Sequence, residues 1–356
     1  MSTPFNIAGR QIGPGHPCFI IAELSCNHGG NREKALEMVR LAARTGADAV
    51  KIQTYTADTI TLDSDADCFV LKGTAWDGRR LHDLYHEAHT PWEWHRAIFD
   101  EARRVGLIAF STPLDPTAVD YLEALAVPCH KIASFELVDI GLLRKVGNTR
   151  KPVILSTGMA TLAEIDEAVR TLRAAGCPAL ALLKCTSAYP ASPEESNLRT
   201  IPHLAQAFAV TAGLSDHTLG STTAIAATAL GASIVEKHMC VSRSDPGPES
   251  GFAMEPDEFR AMVDAIRLTE KALGTVSYEV TAAEIASRRF RRSLFIAEDI
   301  RTGEALTMTN VRSVRPADGM HTRHLDEVLG RRAARNLKKG SPLDWEMIHT
   351  RSQGDV

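Results

Sequence analysis

From Cys18 to Leu273, short apolar runs rich in β-branched residues alternate with stretches of helical period, and the alternation occurs eight times. The runs Cys18–Leu24, Ala47–Gln53, Leu107–Thr112, Cys129–Ser134, Pro152–Thr157, Ala179–Thr186, Ala209–Ser215 and Ala232–His238 predict strands. Arg32–Arg44, Trp92–Val105, Leu162–Ala175 and Thr222–Leu230 predict helices between them, and Glu255–Leu273 predicts a helix after the last strand. Each strand is apolar enough to be buried on both faces. The pattern therefore predicts an α/β fold, a parallel (β/α)8 TIM barrel rather than an open sheet.

Two stretches break the rhythm. Tyr55–Pro91 is too long for a simple βα loop and contains Trp76, Asp77, Gly78 and Tyr85, and enlarged loops of this kind usually carry specificity. After Leu273 the helical period fades, and SRRFRRSLFIAEDI opens a run of short strands and turns. The expected organisation is a barrel over residues 1–275, a linker over 276–287 and a small second domain over 288–356, which suits a chain of 356 residues.

Composition narrows the class. With 44% hydrophobic and 24% charged residues the chain is neither disordered nor fibrous. MSTPFNIAGRQIG lacks a basic start followed by an apolar core, and no apolar run reaches the roughly 18 residues of a membrane helix, so the expectation is a cytoplasmic protein without membrane contact. The seven cysteines are scattered and form no CxxC pair, which argues against a disulfide framework and a cysteine-rich zinc site. From Arg288 onward, 14 Lys+Arg face 9 Asp+Glu, a net +5 that leaves −9 for residues 1–287. No nucleic-acid reading motif or aromatic stacking set accompanies the basic tail, so nucleic acid is not an expected partner.

Polar residues gather at the C-terminal ends of the predicted strands, where barrels of this class place their active sites. Those ends supply Glu23, with Asn27 and His28 following; Lys51 and Gln53; Ser111 and Thr112; Lys131, Ser134 and Glu136; Ser156, Thr157 and Gly158; Lys184, Thr186, Ser187 and Tyr189; Asp216 and His217; and Glu236, Lys237 and His238. So many charged ends on apolar strands imply a polar mouth, because an unpaired buried charge costs several kcal/mol. Lys51 and Gln53 lie two apart, as do Glu236 and His238, and strand alternation aims each pair at one side. His217 and His238 could share one divalent ion with positions left open, or each could bond to nearby backbone. The lysines and hydroxyls suit a phosphate and a carboxylate, or salt bridges across the mouth. Glu23 and Glu136 could be a proton-handling pair, or carboxylates statically paired with lysine.

Over nearly its whole length the sequence resembles the sialic acid synthase family. The stretches that carry the resemblance are AELSCNHGG, GADAVKIQTY, FSTPLD, KIASFEL, ILSTGM, LLKCTSAYP, GLSDHTLG and ALGASIVEKH, in that order. In the tail, RRSLFIAEDIRTGEALT, VRSVRPADGM and GSPLDWEMI resemble the antifreeze-like (SAF) β-clip domain of these enzymes. KGTAWDGRRLHDLYHEAHTPWEWH and KCTSAYPASPEESNL resemble the branch that makes pseudaminic acid.

The resemblance implies condensation of phosphoenolpyruvate with an acylamino sugar, 2,4-diacetamido-2,4,6-trideoxy-β-L-altropyranose in that branch. It implies His217 and His238 as ligands of manganese, with magnesium or cobalt as alternatives, and both as catalytic together with Glu23 and Glu136. Asn27, Lys51, Lys131, Ser134, Ser156 and Ser187 are the implied contacts of phosphoenolpyruvate, Glu249 stands where the family contacts the sugar, and Gln53, Lys184, Tyr189 and Asp216 are expected substrate contacts from their place at the strand ends. Arg315 is implied to enter the barrel of a second subunit in a domain-swapped homodimer. Glu249 departs from the family pattern, which has aspartate there, so the longer side chain either suits a different acceptor or moves its loop. Three other readings stand beside this one: a neuraminic or legionaminic acid synthase with the same chemistry, a Schiff-base aldolase using a strand-end lysine, and a non-catalytic binding protein.

Overall fold

The structure, a computed structural model, describes residues 3–73, 76–245 and 247–349. The chain divides into two compact units after Gly274. The first opens with an antiparallel hairpin, β1 (Phe5–Ile7) and β2 (Arg10–Ile12), turning at Ala8 and Gly9. Eight parallel strands then close into a barrel: β3 (Phe19–Glu23), β4 (Ala49–Thr54), β5 (Ile108–Pro113), β6 (His130–Ile132), β7 (Val153–Ser156), β8 (Leu180–Cys185), β9 (Thr211–Asp216) and β10 (Ile234–His238). Each strand pairs with its sequence neighbour, and β10 closes on β3 with His238 opposite Glu23. The TIM barrel expected from the pattern is present.

The helices are α1 (Arg32–Arg44), α2 (Ala57–Ile60), α3 (Leu81–Ala88), α4 (His95–Arg104), α5 (Pro116–Ala124), α6 (Ile140–Asn148), α7 (Leu162–Ala174), α8 (Thr200–Phe208), α9 (Thr222–Ala229) and α10 (Pro256–Leu273). Their starts follow from local chemistry. Asn31 accepts from the Lys34 amide to cap α1, Asp115 caps α5 with Pro116 at its first position, and Thr161 and Glu164 form a reciprocal capping box on α7. Among the described residues no helix is long and apolar enough to cross a membrane.

Strand alternation sorts the core into layers. Outward residues such as Ile20, Val50, Ile52 and Val235 pack against α1, α4 and α10 on one side of the barrel. Val153, Leu155, Leu182 and Leu214 do the same against α6, α7 and α8 on the other. Inward residues Phe19, Ile21, Phe110, Cys129, Ile154 and Leu183 fill the barrel interior together with Ile7 and Ile12 of the hairpin, which plug its N-terminal end. The interior is solid at that end, so the open end is the C-terminal one.

In the second unit, α11 (Ala282–Ser287) starts on a Thr281–Glu284 capping box, so part of the stretch expected as linker is helical. Strands β11 (Ser293–Ile296), β12 (Val311–Val314) and β13 (Met320–His321) make an antiparallel sheet in the order β12-β11-β13, and a short helix α12 (Leu325–Val328) follows. Leu294, Ile296, Ile300, Leu306, Val311 and Leu343 form its own small core.

Candidate active site at the mouth of the barrel

Along each strand the inward face changes from apolar to polar in one or two steps. Phe19 and Ile21 lead to Glu23, Ala49 to Lys51 and Gln53, Cys129 to Lys131, Ile154 to Ser156, Ala181 and Leu183 to Cys185, and Ile234 to Glu236 and His238. Apart from Glu23, these ends form the floor of a cavity of about 510 Å³, within the size range of small-molecule sites. The enlarged segment after β4 roofs it with α2 and α3.

Buried charges alternate across the floor. Glu236 Oε1 lies 3.6 Å from both Lys51 Nζ and Lys131 Nζ, and Lys51 is also paired with Glu23. Burial alone would raise the Glu236 carboxyl, but Lys131 and Lys51 hold it below the usual carboxylate range. Burial likewise works against the Lys51 ammonium, yet Glu23 and Glu236 together raise its pKa. Burial does depress Lys131, where Glu236 supports the charge and Lys51 opposes it. Lys131 is therefore the less well supported of the two ammonium groups on the floor.

A set of small donors stands next to that lysine. Lys131 Nζ donates to Ser156 Oγ at 2.7 Å, and the Gly158 amide donates to Ser134 Oγ at 3.0 Å. A side chain on Gly158 would come within 2.3 Å of Ser187 Oγ and 2.8 Å of Ser134 Oγ, so only glycine leaves this pocket of hydroxyls open. Across the cavity, the His217 and His238 rings stand 5.3 Å apart. His217 Nδ1 lies 3.0 Å from the Thr186 carbonyl and donates to it, so in the neutral ring the lone pair is on Nε2. Glu249 Oε2 lies 3.2 Å from His238 Nδ1. Among the described residues no third His, Cys, Asp or Glu completes a metal-holding group, so a metal at this pair would keep open positions for a ligand's oxygens. Glu136, on the turn after β6, has a buried carboxyl oxygen without a hydrogen-bond partner among the described residues, and burial pushes its pKa up to about 7.

Residues 38–278 match the NeuB family, and residues 291–349 match the SAF domain. The chain belongs to the NeuB family. It is 44% identical over 333 residues to a pseudaminic acid synthase of Helicobacter pylori, covering 93% of this chain and 98% of that one. It is 43% identical over 325 residues to a pseudaminic acid synthase of Campylobacter jejuni, covering 91% and 95%. A crystal structure of a spore coat polysaccharide biosynthesis protein of Bacillus subtilis, 35% identical, aligns over 98% of this chain and 100% of that one with a TM-score of 0.67.

Of the residues expected from sequence, this NeuB-family chain brings Lys51, Gln53, Lys131, Ser134, Glu136, Ser156, Ser187, Tyr189, His217, His238 and Glu249 to one cavity. Four others in the barrel lie outside its lining. Glu23 is buried beside it against Lys51 and accepts from the Ser25 amide at 3.0 Å. Asn27 is buried and donates to the Met239 carbonyl at 3.1 Å. Lys184 and Asp216 sit on the outward positions of β8 and β9: Lys184 donates to the Cys185 carbonyl at 2.8 Å, and Asp216 is ion-paired with Lys237 at 2.7 Å and accepts from Thr218 and Thr223. Lys184 and Asp216 point away from the cavity, because strand alternation from the inward Cys185 and Ser215 puts both on the other face. Arg315 is exposed just after β12, in the second unit. Glu236 and Cys185 line the cavity without having been singled out as contacts. The two-residue spacing of Glu236 to His238 was the signal for the first, and alternation along β8 for the second.

Proposed function

We propose that the chain condenses phosphoenolpyruvate with 2,4-diacetamido-2,4,6-trideoxy-β-L-altropyranose and water, giving pseudaminic acid and phosphate. The observation that carries this reading is the joining, in one cavity, of the Lys131–Ser134–Ser156–Ser187 anion pocket with the His217–His238 pair. The similarity of nearly the whole chain to pseudaminic acid synthases supports the choice of acceptor.

In this reading C3 of phosphoenolpyruvate bonds to the aldehyde carbon of the open-chain sugar, water adds at C2, and phosphate leaves with cleavage of its C–O bond. Lys51 and Lys131 offset the phosphate and carboxylate charges, and the three serines with the Gly158 amide fix their orientation. His217 and His238 are the residues that would hold a divalent metal, with manganese the first choice and magnesium or cobalt alternatives. Such a metal polarises and orients the aldehyde oxygen when bound. The new hydroxyl at the former aldehyde needs a proton and the added water gives one up. Glu136, poised near neutrality, serves both transfers. Glu23, first expected to share that work, is proposed instead to hold the Lys51 ammonium in place. Gln53, Tyr189 and Glu249 are left to hydrogen-bond the sugar.

We assign the assembly, on the resemblance of VRPADG, to a homodimer in which Arg315 serves the partner's barrel. All seven cysteines are free, which suits a reducing compartment such as the cytoplasm. A Schiff-base aldolase is the second reading, favoured by the depressed ammonium of Lys131 in the cavity.

The deciding experiment measures phosphate release with manganese, using the altrose sugar, N-acetylmannosamine and the legionaminic precursor, each with and without chelator. Chelator-sensitive release with the altrose sugar alone is expected. Preference for another acceptor would move the branch, while chelator-resistant turnover with borohydride trapping would establish the aldolase.

A further inference from the structure

The cavity has a charged floor and an apolar roof. On α3, Leu81, Leu84, Tyr85 and Ala88 recur at helical spacing and all line the cavity, joined by Ile60 at the end of α2 and by Leu71. The other face of α3 carries exposed Asp83, His86 and Glu87. An amphipathic helix is ordinarily held by burying its apolar stripe on a core. None of these six residues belongs to the clusters that pack the barrel. Their stripe faces the cavity instead, and the Trp76 indole ties the segment down by donating to the Pro248 carbonyl at 3.2 Å, next to Glu249.

The direction of the acceptor follows from this polarity. Its aldehyde end must lie on the floor, among His217, His238, Lys131 and Glu136, because the bond forms there. The far end of an open six-carbon chain then points at the roof. We propose that Leu81 and Leu84 take the C6 methyl group of the acceptor and so select a 6-deoxy sugar over one with a hydroxymethyl group at that end. The inference rests on the synthase reading above. A hydroxyl placed there gives up water and meets aliphatic carbon, and a pocket of this kind discriminates by about 10- to 100-fold.

The test compares kcat/KM, by phosphate release, for 2,4-diacetamido-2,4,6-trideoxy-altrose and its 6-hydroxylated counterpart in the wild type, Leu84→Asn and Leu81→Gln. The wild type is expected to favour the 6-deoxy sugar by about 10- to 100-fold, and each variant to reduce that ratio about ten-fold with the KM for phosphoenolpyruvate unchanged. Leu81 is only half-buried at the start of α3, so Leu81→Gln keeps the test available if Leu84→Asn does not fold. An unchanged ratio in either folded, active variant would overturn the assignment, as would a wild type indifferent to the 6-position. A shift in preference among N-acyl groups with the ratio intact would hand the roof to the acetamido methyls and overturn it equally. If the wild type turns over neither altrose sugar, the synthase reading itself has failed, and the inference with it.

Discussion

Two carboxyl groups on the cavity floor and wall are held in different states by what surrounds them. Glu236 stays ionised because two lysines reach it at 3.6 Å, whereas Glu136 has no cation at bonding distance among the described residues and is pushed up to about 7 by burial. The separation gives the site one fixed carboxylate and one that exchanges its proton near neutrality. Glu136→Gln is expected to lower kcat by about 10²- to 10⁴-fold and to remove a titration near pH 7 from the kcat profile, measured by phosphate release. The same shift has a sign in stability. The folded carboxyl binds its proton more tightly than the unfolded one, so its contribution falls as pH rises from about 4.5 to about 7. Chemical denaturation across that window should show a smaller decline in Glu136→Gln, and an identical decline would mean that Glu136 is not the buried acid described here.

The hairpin β1–β2 and the roof of α2 and α3 act at opposite ends of the barrel. Ile12 is fully buried in the interior cluster with Phe19, Ile154 and Leu183. Ile12→Ala should cost about 2–5 kcal/mol in denaturant-measured stability and leave the KM for phosphoenolpyruvate unchanged, since the packed interior separates it from the floor. A change in KM at matched folded fraction would show the plug to be coupled to the site. The same contrast explains what was legible in the sequence. Eight strands could be read because both their faces are apolar, and the floor residues because polar side chains end those strands. The facing of Lys184 and Asp216 was not legible from their position at strand ends, because a shift of one residue moves a side chain from the axis to the helix layer. Asp216 instead meets Lys237, another outward residue, in an ion pair that serves the barrel wall. The roof escaped for a different reason. Helical period reveals the Leu81–Ala88 stripe, but nothing in the period says whether such a stripe meets a core or a cavity.

At the scale of the whole chain, the question is whether a site is completed within one subunit or between two. The net +5 from Arg288 onward and the net −9 of residues 1–287 do not decide which copy of the tail serves which barrel. Arg315 is exposed at the end of β12, and its proposed role is to serve the cavity of a partner. Two single variants separate the alternatives. Arg315→Ala spoils the tail and Glu136→Gln spoils the barrel, and each alone is expected to be nearly inactive. When the two chains are co-expressed in equal amounts, random pairing makes about half of the dimers mixed. If tails serve the partner, each mixed dimer joins one sound barrel to one sound tail, and about a quarter of wild-type activity returns. If each tail serves its own barrel, the mixed dimer contains no sound site and activity stays at the level of the single variants. Sedimentation of the mixture must show dimers in both cases, so a silent result with dimers present would assign Arg315 to its own chain and overturn the swapped arrangement.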